Sequence, residues 1–404
     1  MTTFFQDLRF ALRVLRKNPG FTIVAVLTLA LGIGANSALF SVINGLFLHP
    51  PGIPHPHRLV TLRVKYDQLG LMNIVASAPD FAQVRDSKDV FDSAAIVTPA
   101  DFNYHADEGP QRLLGAQVTW QWFEVFGARP LFGRTFASEE DQPKANHEVV
   151  LAYGAWKRWF GGDTDVVGRT VQLNEQPYQI IGVMPAEFRW PSETDLWVPL
   201  GLAPEEFAPD NRYNENYFAV ARIRAGVTFA RAQTFVDVLT ERDIQNDPSG
   251  KYARNSGWGM FVVPLGDFVF GQIRRPLRVL FGAVALVLLI GCANIAGLLL
   301  ARATGRVKEF AIRSAMGAER WALIRQTLAE SLVLAGAGAA MGLVLAKFGI
   351  SALLALAPEK LAAGAAIPID SFVVLFTGVI GILAAVVSGI IPAGKPPKST
   401  PMML

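Results

Sequence analysis

Five histidines and a single cysteine are the residues with which this sequence could bind a metal ion or perform acid–base chemistry. His55 and His57 lie in a proline-rich stretch without acidic or cysteine partners nearby, while His105 and His147 are isolated. Zinc sites need three or four such ligands close together, and Cys292 has no second cysteine to pair with. No HExxH or GxSxG pattern occurs. We therefore predict no catalytic residue, no metal site and no cofactor site, and a protein that is not an enzyme.

The segment GIIPAGKP at 389–396 matches part of a phosphate-binding loop through Gly389, Gly394 and Lys395. In such a loop a strand precedes the glycines, and a Ser or Thr that binds magnesium follows the lysine and opens a helix. Here Pro396 occupies that position, no strand pattern precedes it, and a second proline prevents a helix from following. We interpret the segment as the end of a membrane helix, so the sequence predicts no nucleotide-hydrolysing site in this chain.

Charged and apolar side chains alternate in the stretch 302–326, which separates two long apolar segments. The alternating residues are Lys308, Phe310, Ile312, Arg313, Met316 and Arg320. Gly317 is expected to end one helix and Glu319 to lie near the start of the next. This mixture suits a short helix that lies parallel to the membrane and docks into a groove of a partner. The alternative is an ordinary basic loop between two membrane helices.

Four apolar segments approach or exceed the roughly 20 residues that a membrane-crossing helix needs. The predicted spans are 21–48, 277–301, 327–357 and 371–394. The third is the least apolar, because Glu330 and Lys347 bracket its uncharged centre, but both side chains are long enough to reach the membrane surfaces. The first span is predicted to be an uncleaved anchor, since its apolar run exceeds the roughly 7–15 residues of a signal peptide.

The leader, residues 1–20, has the pattern of an amphipathic helix. Its apolar face is predicted to carry Phe4, Leu8, Ala11, Leu12 and Leu15, and its basic face Arg9, Arg13 and Arg16. Such a helix lies in the interface of a membrane. Pro19-Gly20 favours a break before the first span over a simple extension of it.

The charge distribution indicates how the chain is oriented. Residues 48–276 have a net charge of −6, whereas the rest of the chain has +9 and surrounds the apolar segments. Because basic residues favour the cytoplasmic side, the leader, the stretch 302–326 and the tail 395–404 are predicted to be cytoplasmic. Arg274, Arg275 and Arg278 oppose this assignment, but they follow a long soluble segment, where the rule is weak. A basic footprint for nucleic acid is absent from this pattern.

Residues 49–276 read as a soluble α+β domain. Strands are predicted at 58–66, 112–119, 148–153 and 217–223, with two more at 169–184 around a turn at Asn174-Glu175. Helices are predicted at 78–91, 120–127, 153–162 and 229–244. The sequence therefore predicts an α-helical membrane protein with four transmembrane helices and an inserted α+β extracytoplasmic domain.

Polar and small residues interrupt the predicted spans. Asn36, Asn44 and Asn294 are expected to form hydrogen bonds between helices, and the pair Gly338 and Gly342 to allow close helix packing. A pathway through the membrane is the alternative for both sets.

Three parts of the sequence resemble one known family. The first part is EFAIRSAMGAERWALIRQTLAESLVLAGAGAAMGLVLA. The second part consists of three stretches between the first and second spans: FEVFGARPLFGRTFASEED, VVLAYGAWKRWFGGDTDVVGRTVQLNEQPYQIIGVMPAEFRWP and LWVPL. The third part is the leader together with the first span. They resemble the permease region, the periplasmic core domain and the N-terminus of FtsX-like/MacB-like permeases of ABC transporters. The leader is most similar to the duplicated permeases of acidobacterial type. The resemblance covers essentially the whole chain.

The resemblance implies that the cytoplasmic helix between the second and third spans couples the permease to a separate ATPase. The residues matching that coupling motif are Glu309, Phe310, Ile312, Arg313, Met316, Gly317, Ala318 and Arg320. Glu319 departs from the family pattern, which has Ser or Thr there. Duplicated permeases continue into a second four-span half. The chain is therefore expected to be either a half-unit that pairs with a second copy of itself or with another permease half, or an inactive truncated copy.

The implied function is that of a non-catalytic permease subunit in a bacterial inner membrane, with both termini cytoplasmic and 49–276 extracytoplasmic. It would couple ATP hydrolysis by a cytoplasmic ABC ATPase to movement of the periplasmic domain, for export. Expected partners are that ATPase, a second permease half, membrane lipid and a periplasmic adaptor, but no nucleic acid. The alternatives are a membrane-anchored sensor or scaffold and a membrane-tethered periplasmic enzyme.

Overall fold

The computed structural model describes residues 2–45, 53–106, 109–145, 147–191, 194–247, 251–304, 320–356 and 369–393. These residues form two compact units. The helical unit consists of the helices at the two ends of the chain. The soluble unit is the sheet-containing region between them. The described helices are α1 (Thr2–Arg16), α2 (Pro19–Ile43), α3 (Ala78–Asp86), α4 (Trp122–Phe126), α5 (Tyr153–Trp159), α6 (Phe229–Gln245), α7 (Tyr252–Ser256), α8 (Leu265–Thr304), α9 (Arg320–Leu356) and α10 (Ser371–Ala393).

Four of these helices are long and apolar enough to cross a membrane. The qualifying segments are Pro19–Ile43, Leu265–Ala301, Thr327–Ala352 and Ser371–Gly389, which we call the first to fourth spans. Large apolar side chains on them remain exposed, for example Leu31 at 64%, Val279 at 69% and Phe348 at 69%. Such exposure is costly in water but natural in lipid. The predicted fold class, four membrane helices with an inserted domain of helices and strands, is confirmed.

The leader forms α1, which ends two residues before α2 begins. Asn18 has a non-helical backbone, and Pro19 occupies the first turn of α2, where a proline is tolerated because its missing N–H has no partner there. The break predicted at Pro19-Gly20 therefore exists. Ala11, Val14 and Leu15 of α1 are buried, whereas Leu12 is 45% exposed.

The soluble unit is built on one mixed sheet. Its strands are β1 (Leu59–Tyr66), β2 (Leu71–Ile74), β3 (Phe91–Ala106), β4 (Gly109–Val118), β5 (Phe132–Gly133), β6 (Glu148–Leu151), β7 (Thr170–Leu173), β8 (Gln176–Val183), β9 (Leu196–Pro199), β10 (Phe218–Ile223) and β11 (Trp258–Pro264). The order is β11-β1-β10-β3-β4-β9-β6-β8-β5, with β2 beside β1 and β7 beside β8 and β3. The β4–β9 and β6–β8 pairs are parallel and the others are antiparallel.

Local sequence explains several of these elements. The β7–β8 hairpin turns at Asn174 and Glu175, which both have positive φ angles, as a tight hairpin turn requires. Ser77 caps α3 by accepting a hydrogen bond from the Asp80 N–H, and Thr228 caps α6 in the same way. The helix predicted over 78–91 instead ends at Asp86. The prediction was too long because Phe91 is drawn into β3 by pairing with Ile223 of β10.

Helix α6 covers the outer edge of the sheet at β11. The backbone N–H of Met260 donates to Thr240 Oγ1 at 3.1 Å, and that of Val262 donates to Gln233 Oε1 at 3.0 Å. An uncovered edge strand would offer these groups to another chain. Side chains of α6 thus end the sheet at this edge.

A buried charge cluster joins α3 and α6 to the loop before β10. Arg212 Nη1 donates to Asp80 Oδ1 at 2.9 Å and to Asp243 Oδ2 at 2.5 Å. Asp80 is fully buried, and its second carboxylate oxygen has no hydrogen-bond partner. Burial outweighs the attraction of Arg212 and raises the pKa of Asp80 to about 7. One guanidinium shared by two carboxylates therefore favours a proton on Asp80.

This cluster predicts a pH-dependent stability of the soluble unit. Because the pKa of Asp80 is higher in the folded than in the unfolded state, the folded state binds the proton more tightly. The free energy of unfolding should thus fall by on the order of 3 kcal/mol as pH rises from about 4 to about 7, with little further change above. The free energy of unfolding is measured by urea unfolding with tryptophan fluorescence as the signal, since seven of the eight tryptophans lie between 120 and 258.

The matched comparison uses Asp80→Asn and Asp237→Asn. Asp237 is an exposed carboxylate on α6. Asp80→Asn should remove this fall in stability, whereas Asp237→Asn should keep it. Equal pH profiles for the two variants would show that Asp80 does not hold the proton.

Candidate functional site

The predicted coupling residues precede the third span in the sequence. Seven of them, from Glu309 to Ala318, are outside the described residues. The eighth, Arg320, is the first residue of α9, a single helix of 37 residues that ends at Leu356. At 1.5 Å per residue this helix is about 55 Å long. Since its backbone hydrogen bonds make it stiff, a displacement at Arg320 would move the whole third span.

The first turns of α9 are tied to α1. Arg325 Nε donates to the Asp7 carboxylate, and the pair is partly exposed. An exposed ion pair contributes at most about 1 kcal/mol. The apolar residues Ala11, Val14 and Leu15, which are buried on the same helix, contribute most of the packing energy of α1. The ion pair places the second turn of α9 beside Asp7 of α1.

The first and third spans approach each other through glycines. A methyl group added at Gly34 would lie 2.8 Å from the Gly342 carbonyl oxygen, and one added at Gly338 would lie 2.6 Å from Leu29 Cβ. Both distances are shorter than any van der Waals contact. The close packing predicted for Gly338 and Gly342 is confirmed, with the first span as the partner helix.

Polar side chains connect the first span to the fourth. The hydroxyl groups of Ser37 and Thr377 are 2.7 Å apart and buried. Asn44 Nδ2 donates to Asp370 Oδ2 at 2.8 Å, and the other oxygen of Asp370 accepts the backbone N–H of Val373 at 2.9 Å. Asp370 therefore caps the fourth helix and holds the end of the first. The rings of Phe40 and Phe376 stack between these bonds, 3.9 Å apart.

A further bond connects the first span to the second. Asn36 Nδ2 donates to Gly32 O at 2.8 Å and to Val284 O at 3.2 Å. The predicted interhelical hydrogen bonds of Asn36 and Asn44 are thus confirmed. The same prediction is wrong for Asn294, which lies on the exposed side of the second span. Its side chain faces away from the other three spans because the buried face there is formed by Cys292 and Ile295.

The segment that mimics a phosphate loop begins inside a helix. Gly389 belongs to α10, and a methyl group there would lie 2.9 Å from Leu328 Cδ2 and 3.2 Å from Ser331 Oγ. Its small size therefore serves packing against the third span. Within the described residues, no group of three or more His, Cys, Asp or Glu side chains is placed to hold a metal ion.

Sequence reasoning missed several of these contacts. The pairs Arg325–Asp7 and Ser37–Thr377 join residues more than 300 positions apart, and neither pair belongs to a recognisable motif. The charge on Asp7 and Arg325, each on a helix next to a span, was the only available signal.

Two family models match the chain. The model described as the MacB-like periplasmic core domain matches residues 22–237, and the FtsX-like permease C-terminal model matches residues 281–401. The macrolide export ATP-binding/permease protein MacB of Azoarcus sp. (strain BH72) is 26% identical over 385 residues, covering 88% of this chain and 53% of that protein. MacB of Chromobacterium violaceum is 24% identical over 286 residues, covering 70% of this chain and 41% of that protein.

The chain thus spans about half the length, or less, of these curated relatives. Among solved structures, the periplasmic region of MacB from Actinobacillus actinomycetemcomitans is similar, with 18% identity and a TM-score of 0.37. That similarity covers 55% of this chain and 94% of the other.

The glycine contact predicts a sharp difference between two neighbouring positions of α9. Gly338→Ala should destabilise the helical unit by about 1–3 kcal/mol, because the added methyl group must push the first span away. Gly336→Ala is the control: it is exposed with no atom within 4 Å of its added methyl group, so its effect should stay within about 0.5 kcal/mol. The measurement is the fraction of detergent-solubilised protein that stays monodisperse after heating. Equal losses for both variants would rule out this contact as a determinant of stability.

Proposed function

This chain belongs to the family of ABC transporter permeases that combine a MacB-like periplasmic core domain with an FtsX-like permease domain, and from that membership we propose how it works. It is a permease component that moves in response to a separate cytoplasmic ABC ATPase. That movement is passed to the soluble unit and serves export. The two MacB relatives are named for macrolide export and for ATP binding.

The observation that supports this proposal best is the continuity of α9. Its first residue is the last of the eight that match the coupling motif, and its Gly338 and Gly342 contact the backbone of the first span. The first span in turn holds the second and fourth through Asn36, Ser37 and Asn44. A push on the coupling residues would therefore reach all four spans.

The proposal includes partners beyond the ATPase. ATP binds to that ATPase and not to this chain, which needs no cofactor of its own. A second permease half completes the transporter, and a periplasmic adaptor binds the soluble unit. Arg313, with its positive charge, and Met316, with its adaptable apolar side chain, are proposed to enter the groove of the ATPase.

The orientation is proposed to place both termini in the cytoplasm and residues 49–276 outside it. A cysteine-labelling experiment tests it cleanly, because the natural Cys292 is 1% exposed. Gln142→Cys, on the exposed surface of the soluble unit, should react with a membrane-impermeant maleimide in intact spheroplasts. Lys398→Cys, in the tail, should react only after lysis. The reverse pattern would contradict the orientation.

Coupling is tested by co-purifying the chain with ATPases encoded near it. Arg313→Glu/Met316→Asp should lower ATPase recovery and ATPase stimulation at least about tenfold, since it places negative charges in the docking surface. Lys398→Glu/Met402→Asp makes the same changes in the predicted cytoplasmic tail and should have no such effect. If the wild type recovers and stimulates none of these ATPases, or if both variants behave alike, the proposed coupling is wrong.

A further inference from the structure

Three arginines lie together on α8 just before the uncharged part of the second span. Successive residues of a helix are rotated by about 100°, so Arg274, Arg275 and Arg278 fall within an arc of about 100°. All three are exposed. Arg275 and Arg278 have no hydrogen-bond or ion-pair partner within the part of the chain that the structure describes. Two free guanidinium groups therefore point away from the protein side by side.

The position of these arginines along the helix matches a membrane surface. From Val279 to Ala301 the helix carries no charged residue, and this length corresponds to about 33 Å. The hydrocarbon layer of a bilayer is about 30 Å thick. When Ala301 lies at one surface of that layer, Arg275 and Arg278 lie among the lipid headgroups at the other.

An apolar stripe continues below the arginines on the same face. It consists of Gly282, Leu286, Leu289 and Ala293, all of them exposed. Gly282 lies one turn below Arg278, and a methyl group added to it would have no atom within 4 Å. The stripe is thus an exposed apolar surface directly beneath the two cations.

The sequence supplies no acidic partner for these cations nearby. No Asp or Glu occurs between Asp267 and Glu309. A guanidinium group presents a fork of N–H donors that fits two oxygens of a phosphate group. Two exposed cations above an exposed apolar stripe suit a molecule that carries both a phosphate group and an acyl chain.

We propose that Arg275 and Arg278 bind the phosphate of an anionic phospholipid whose acyl chain lies along Gly282, Leu286 and Leu289. Arg274, which already interacts with another group, strengthens the local positive field. The site belongs to α8 alone, so it does not depend on the coupling function proposed above.

The experiment is a lipid titration of the full chain in detergent, read by native mass spectrometry. Phosphatidylglycerol is compared with phosphatidylcholine of the same acyl chains, and glycerol 3-phosphate is added as a competitor without chains. Phosphatidylglycerol should bind about tenfold more tightly than phosphatidylcholine. Glycerol 3-phosphate should not displace it.

Two pairs of variants separate the headgroup from the chain. Arg275→Gln/Arg278→Gln should weaken phosphatidylglycerol binding about 25-fold, at about fivefold for each arginine. The control Arg129→Gln/Arg231→Gln removes the same charge from exposed arginines of the soluble unit and should change binding less than about twofold. Gly282→Leu should weaken binding about threefold or more by filling the stripe, while Gly297→Leu, equally open but near the other end of the span, should not.

Several results would overturn the proposal. Equal affinity for the two lipids, or equal behaviour of the two arginine double variants, would show that the arginines do not select an anionic headgroup. Complete displacement by glycerol 3-phosphate would identify a site for a soluble phosphate compound. Unchanged binding in Gly282→Leu would exclude the acyl chain from the stripe.

Discussion

The contact between the backbones of the first and third spans at Gly34 and Gly342 determines where every other membrane helix can lie. Lipid chains are as apolar as leucine, so helices in a membrane associate through close packing and hydrogen bonds and gain little from the hydrophobic effect. Once this contact fixes the rotation and height of the first span, Asn36 faces the second span and Ser37 faces the fourth. Each such bond contributes about 0.6 kcal/mol, so several must act together.

The soluble unit is held by different physics. Burial of aromatic and aliphatic side chains on both faces of its sheet supplies most of the stability, with Trp122, Trp197 and Trp258 almost completely buried. The buried charge cluster at Arg212 is costly to desolvate. Its role is to hold α3, α6 and the loop before β10 in one arrangement. The stability of the two units is therefore sensitive to different changes. The helical unit is sensitive to added side-chain volume at the glycine contact, and the soluble unit is sensitive to pH through the Arg212 cluster.

Sequence reasoning worked where the signal is local. Long uncharged segments predict the spans. The hairpin turn at Asn174 is predicted by the turn residues themselves and by the alternation of apolar and polar residues on either side. It failed for β3, whose sequence FDSAAIVTPADFNYHA contains alanines, aspartates, an asparagine and Pro99, all poor strand formers. That strand exists because β10 and β4 pair with it. Likewise nothing local distinguishes Asn294 from Asn36, since the packing of the helices against one another buries one and exposes the other.

Strand β3 is also the longest strand of the sheet, and it pairs with β10 along its first half and with β4 from Val97 onward. Phe91, its first residue, and Phe102, in its second half, belong to different hydrophobic clusters. The soluble unit therefore cannot be divided between those clusters without breaking a continuous ladder of backbone hydrogen bonds. For chimeras between related permeases, this makes the whole soluble unit the smallest exchangeable part: a graft of either half would bring one end of β3 without the partner strands that fold it.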